Sequence, residues 1–220
     1  MTVGQRLNDI QSQIPSHCRL IAVSKTHPVE TIMEAYGAGH RIFGENKVQE
    51  MVPKAEAMPK DIQWHMIGTL QRNKVKYIAS FVSLIHSVDS PDLLKEINKQ
   101  AQKANRVIPC LLQIHIAKEE TKFGFSPEEA LGFLSSGSYL QFENVRIAGL
   151  MGMATFTDNT AQIRDEFKTL RSLFETIKAR QFLAVEMQEL SMGMSSDYTI
   201  AIEEGSSLVR IGTAIFGIRQ

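Results

Sequence analysis

The chain has little with which to bind a polyelectrolyte. Its 24 Lys and Arg residues are matched by 24 Asp and Glu, and no run of five like charges occurs. The broad electrostatic footprint that nucleic acid or an anionic membrane surface requires is therefore missing. It is also poor in cysteine, with only Cys18 and Cys110. Each stands beside an apolar run, where a thiol behaves as a small core residue rather than as half of a disulfide. No stretch approaches the roughly 18 continuous apolar residues of a membrane span. The opening MTVGQRLNDIQSQI lacks a basic segment followed by an apolar core, as expected of a chain that stays in the cytoplasm. What is there is an ordinary globular composition, 43% hydrophobic and 22% charged, with material for a sizeable core and room for a small ligand.

Short apolar runs bounded by turn residues alternate with stretches of helical period. Eight strands are expected, at 19–24, 41–44, 62–68, 84–89, 108–116, 146–151, 184–192 and 208–212. Ser90 before Pro91, and Ser126 before Pro127 with Glu129 following, are helix starts: a capping hydroxyl precedes proline in the first turn. Further helices are expected at 28–38, 46–57, 72–80, 160–179 and 195–204, with one more before the first strand; Pro53 weakens the second of these.

Strands alternating with helices imply a parallel sheet, and 220 residues over eight units is about 27 per unit, which suits a compact (β/α)8 TIM barrel. The expectation is an α/β barrel with an extra N-terminal helix; a doubly wound open sheet is the alternative. No Gly-, Ser- or Pro-rich linker interrupts 1–220, so a single domain is expected.

In such a barrel, chemistry sits at the carboxyl ends of the strands, and phosphate groups collect at the loops after strands seven and eight. Those loops read SMGMSSD at 191–197 and RIGTAIFG at 210–217. Both offer hydroxyls and unpaired backbone N–H groups, so Ser191, Ser195, Ser196, Gly212 and Thr213 either cradle a phosphate or are merely caps and tight turns. Lys25 ends the first strand, LIAVSK, on the same face. It is either an amine whose pKa is lowered at a water-poor mouth, ready to form a Schiff base, or a lysine snorkelling to solvent. Arg210 interrupts the apolar run LVRIG. It points into the mouth, where an arginine facing a pyridine nitrogen keeps that nitrogen unprotonated, or it pairs with Glu203 or Glu204. A phosphorylated aldehyde such as pyridoxal 5′-phosphate would use lysine, arginine and phosphate turns together.

The stretches AVSKTHP, FGENKVQE at 43–50, WHMIGTLQRNKVK at 64–76, GLMGMA at 149–154 and LSMGMSSDYTIAIEEGSSLVRIGTAIFG at 190–217 resemble those of the pyridoxal phosphate homeostasis proteins, nearly end to end. The resemblance implies a single-domain barrel like the N-terminal domain of alanine racemase, with pyridoxal 5′-phosphate as cofactor. It makes Lys25 the residue of the internal aldimine and Arg210 the partner of the pyridine nitrogen. It places Ser191, Ser195, Gly212 and Thr213 in the phosphate turns, with Asn46 and His65 lining the cofactor pocket. It is looser at 112–125, where His115 and Phe123 stand in place of the usual asparagine and small residue.

The resemblance further implies storage, buffering or delivery of the cofactor, with cofactor-dependent apoenzymes as recipients and a monomeric carrier. Racemisation by two bases needs a proton acceptor on each face of the substrate, and with Gln220 only eight residues after Gly212 no room is expected for the racemase's second domain with its tyrosine. Robust turnover is therefore not expected. A slow racemase using Lys25 as its base is the alternative, and a phosphosugar lyase is a third class. GAGHRIFG at 37–44 follows a helix and precedes a strand, the reverse of a dinucleotide fingerprint. His65, His86 and His115 match no short metal-ligand spacing, so no metal site is expected.

Overall fold

The computed structural model describes residues 1–118 and 123–217. Eight strands form where the apolar runs stand: β1 Arg19–Val23, β2 Ile42–Glu45, β3 Gln63–Met66, β4 Leu84–Val88, β5 Ile108–His115, β6 Val145–Met153, β7 Val185–Met194 and β8 Leu208–Ile211. Each pairs in parallel with the next, and β8 pairs with β1, so the sheet closes into a barrel. Closure excludes the open doubly wound sheet. It also leaves no unpaired sheet edge.

The helices are α1 Val3–Gln13, α2 Val29–Gly37, α3 Val48–Ala57, α4 Pro91–Lys103, α5 Pro127–Ser135, α6 Thr160–Arg180, α7 Tyr198–Glu203 and α8 Thr213–Phe216. Two caps form as expected. The Ser90 hydroxyl accepts from the Leu93 N–H, and Ser126 with Glu129 closes a reciprocal capping box. Pro53 lies inside α3, which nevertheless runs on to Ala57.

One connection departs from expectation. Between β3 and β4 the chain forms a 3-10 helix, Arg72–Tyr77, rather than an α-helix over 72–80. Gln71 offers no side-chain cap, and the bonds from Lys74 N–H to Gln71 C=O and from Ile78 N–H to Val75 C=O have the tighter spacing. The segment 135–145 likewise contains a 3-10 turn, Ser138–Gln141.

Strand alternation sorts side chains between two cores. Ile21, Leu84, Leu111, Ala148, Met151 and Leu208 fill the barrel interior. The larger cluster lies between strands and helices, with Phe43, Phe167 and Leu7 among its fully buried members. Cys18 and Cys110 are both buried and free, and burial raises the Cys18 thiol to about 11. Among the described residues, no helix is long and apolar enough to cross a membrane.

Candidate functional site

The inward positions of β1 and β8 step from core to cavity. Ile21 lies in the interior layer, and Val23 and Lys25, each two residues further on, line a cavity at the carboxyl mouth. On β8 Leu208 is interior, while Arg210 and Gly212 reach the same cavity. The period of two in these strands thus delivers an amine and a guanidinium to one space of about 220 Å³.

Six of the nine residues named from the sequence meet on its wall: Lys25, Asn46, Ser195, Arg210, Gly212 and Thr213. Ser191, Ser196 and His65 do not. β7 continues to Met194, two residues past its expected end, so the turn opens at Ser195 and Ser191 is buried within the strand. Ser196 is exposed and is not a wall residue. His65, on β3, is buried one layer below the cavity wall.

Ser191 and His65 belong to a buried hydrogen-bonded chain. Arg210 donates to Ser191 Oγ at 2.6 Å and to the Gly152 carbonyl at 3.1 Å. Ser191 Oγ lies 2.9 Å from His86 Nδ1, and His86 Nε2 lies 3.0 Å from His65 Nδ1. A guanidinium only donates. Ser191 therefore accepts from Arg210. In a neutral His86 one ring nitrogen donates and the other accepts, so its contacts with Ser191 and His65 run in one sense along the chain.

Electrostatics keep both imidazoles neutral. Burial lowers His65 to about 3 and pulls His86 well below the usual imidazole range, with His65 and Arg210 adding to the effect on His86. Burial also lowers Arg210 to about 10, opposed by Asp197, so it stays a cation at neutral pH. Its sequence alternative, a pair with Glu203 or Glu204, does not form, because Arg164 on α6 takes both carboxylates at 2.5 Å.

Sequence reasoning missed several participants. His27 lines the cavity two residues past Lys25, its ring against Phe216 on α8 at 5.1 Å. Met153 lies on the wall two residues beyond the interior Met151, a position that extending the β6 period would have found. Buried Asp197 accepts from the Met194 N–H at 2.5 Å, tying down the turn that carries Ser195; burial raises its carboxyl. Gly68 is required for a different reason. A Cβ there would lie 2.4 Å from the Asn46 carbonyl oxygen, so glycine lets the loop after β3 pack directly on the backbone that presents Asn46.

His115 and Phe123 line a neighbouring depression that shares Met153 and Met194 with the cavity. The intervening 119–122, part of the divergent fifth loop, lies outside the described residues. Among the described residues, no three His, Cys, Asp or Glu side chains are grouped as metal ligands.

Fold and cavity together define a (β/α)8 barrel protein with an amine and a guanidinium at its mouth. The family model of the alanine racemase N-terminal domain matches residues 2–220. A pyridoxal phosphate homeostasis protein of Aquifex aeolicus is 39% identical, with 100% of both chains covered. PipY of Synechococcus elongatus PCC7942, solved without PLP, has 37% identity and a TM-score of 0.92 over 98% of this chain and 100% of its own. Its structure with PLP bound has 36% identity and a TM-score of 0.88 over the same shares. The chain belongs to the pyridoxal phosphate homeostasis protein family, within the alanine racemase N-terminal domain family.

Proposed function

We propose that this protein binds pyridoxal 5′-phosphate and serves its homeostasis as a single-domain carrier that stores, buffers or delivers it. The observation that carries this reading is that Lys25 shares one cavity with Arg210 and with the turn residues Ser195, Gly212 and Thr213. The donor set fits the group: an amine, a buried cation, hydroxyls and small-residue turns suit a phosphorylated aldehyde. When bound, the group supplies an aldehyde open to an amine and a ring able to accept electron density.

Lys25 is the covalent anchor. Ser195, Gly212 and Thr213 hold the phosphate, and Asn46 lines the pocket beside it. Arg210 remains a donor to the ring nitrogen and withholds a proton from it, which weakens the ring as an electron sink. Ser191 holds Arg210 in place from below, and His65 supports it through His86. No metal takes part.

Among the described wall residues there is no tyrosine. Tyr36, Tyr139 and Tyr198 use their hydroxyls on Asp61, Leu183 and Gln13, and Tyr77 lies in the 3-10 helix after β3. The lack of a tyrosine base on the wall favours a carrier over a racemase that pairs Lys25 with a tyrosine. The recipients are cofactor-dependent apoenzymes, reached in the cytoplasm by a monomer with neither nucleic acid nor membrane as partner.

The test is the absorption spectrum of the purified protein before and after borohydride, with mass analysis of the Lys25 peptide. Reduction is expected to fix the cofactor on Lys25, and Lys25→Ala to lack the band. An unmodified Lys25 overturns the proposal. Exchange of amino-acid α-protons in deuterium oxide by the wild type would favour the racemase.

A further inference from the structure

Lys25 stands at the tip of a turn that needs outside support. The His27 N–H donates to the Ser24 carbonyl at 3.2 Å, closing Ser24-Lys25-Thr26-His27. Thr26 occupies its third position with φ +67. That left-handed conformation favours glycine in this kind of turn and is costly for a β-branched residue. Strain of this sort persists only where the surroundings over-determine it.

The surroundings here come from β2 and α3. The Glu50 carboxylate accepts from the Thr26 N–H at 2.6 Å. One turn along α3, Lys54 donates to the Ser24 carbonyl at 2.8 Å and to Glu45 Oε1 at 2.6 Å. Glu45 Oε1 also accepts from the Ser24 hydroxyl at 2.6 Å. Glu50 and Lys54 approach each other at 3.8 Å. The residues on both sides of Lys25 are therefore gripped by charged groups, of which Glu45 and Lys54 are buried. None of the three lines the cavity.

We infer that Glu45, Glu50 and Lys54 are positioning residues for Lys25: they hold Thr26 in its left-handed conformation and so fix the direction in which the Lys25 amine enters the cavity. This rests on the proposed role of Lys25 as the cofactor's anchor. Glu50 is the member that touches the strained residue. With a side chain 25% exposed, it can be truncated without opening the core.

The experiment compares the full-length wild type with Glu50→Ala and with Glu50→Ala combined with Thr26→Gly, after thermal melts confirm folding. Three quantities are measured: exchange of the Thr26 amide proton without cofactor, labelling of the Lys25 peptide by pyridoxal 5′-phosphate and borohydride, and loss of the absorption band on dilution. Glu50→Ala is expected to exchange the Thr26 amide and release the cofactor each about tenfold faster, the size of one charge-assisted hydrogen bond. Adding Thr26→Gly is expected to restore slow release while the amide stays unprotected, because glycine adopts the turn unaided. Wild-type release in Glu50→Ala, or no recovery with Thr26→Gly, overturns the inference. A wild type unlabelled at Lys25 counts against the function proposed above, and the amide exchange still decides whether Glu50 holds the turn.

Discussion

Arg210 donates to Ser191 at 2.6 Å from the adjacent strand, inside the barrel and beneath the cavity. Because the guanidinium never accepts, Ser191 Oγ is the acceptor of this bond, and the two buried histidines behind it, held neutral by burial, do not compete with the cation. Removing Ser191 Oγ leaves an Arg210 N–H and His86 Nδ1 unsatisfied together. Ser191→Ala is expected to lose about 1–3 kcal/mol of stability, measured by urea unfolding, and to loosen cofactor retention as Arg210 loses its support.

The two histidines also give stability a pH dependence. Both are depressed in the folded state, His65 to about 3, so below about 6.5 the unfolded chain binds protons that the native chain refuses. Stability is fully present above that pH and falls as pH drops toward the folded value, by about 1.4 kcal/mol per pH unit for His65 alone. Glu45 and Asp197, raised by burial, act in the opposite direction at lower pH. Comparing the slope for wild type and His65→Gln between pH 7 and 5 isolates the imidazole; equal slopes would rule out its contribution.

Lys54 and Glu45 form a buried ion pair at 2.6 Å. Lys54→Met strands the Glu45 carboxylate in the protein interior and is expected to cost about 3–5 kcal/mol, seen as a lower thermal midpoint. Replacing both residues, as Glu45→Leu with Lys54→Met, should recover much of that loss, since a well-packed apolar pair needs no compensating charge.

Gly68→Ala puts a methyl group 2.4 Å from the Asn46 carbonyl oxygen. Backbone must move against backbone, so a loss of about 1–3 kcal/mol is expected. Displacement of Asn46 should weaken pyridoxal 5′-phosphate binding in a spectroscopic titration. Alanine at Gly132, where an added Cβ would meet nothing within 4 Å, is the matched control.

The cavity wall was legible at the ends of β1 and β8, though not at the end of β6, where Met153 was missed. Lys25, Arg210 and Gly212 each sit on the inward phase of a run whose period is visible in the sequence. Ser191 was given to the phosphate turn as well as to the last residues of its strand, because SMGMSSD is rich in Ser and Gly. β7 in fact continues through them: β6 supplies ladder partners as far as Ser191 and β8 as far as Met194, and Gly193, at φ +93, accommodates the irregularity where Ala201 packs against it. Composition carries no sign of such tertiary pairing. The helix expected over 72–80 was misjudged for a related reason, since nothing local distinguishes a short α-helix from a 3-10 turn.

By itself the sequence determined the alternation of strand and helix, the capped starts of α4 and α5, and which residues arrive at the carboxyl mouth, because these depend on local period and turn chemistry. Only the tertiary structure decided what those residues touch. Ser191 and His65 became supports for Arg210 rather than cavity wall, Arg164 took the carboxylates offered to Arg210, and Glu50 met Thr26 from 24 positions away. Such contacts depend on the register and closure of the barrel, and no period along the chain encodes them.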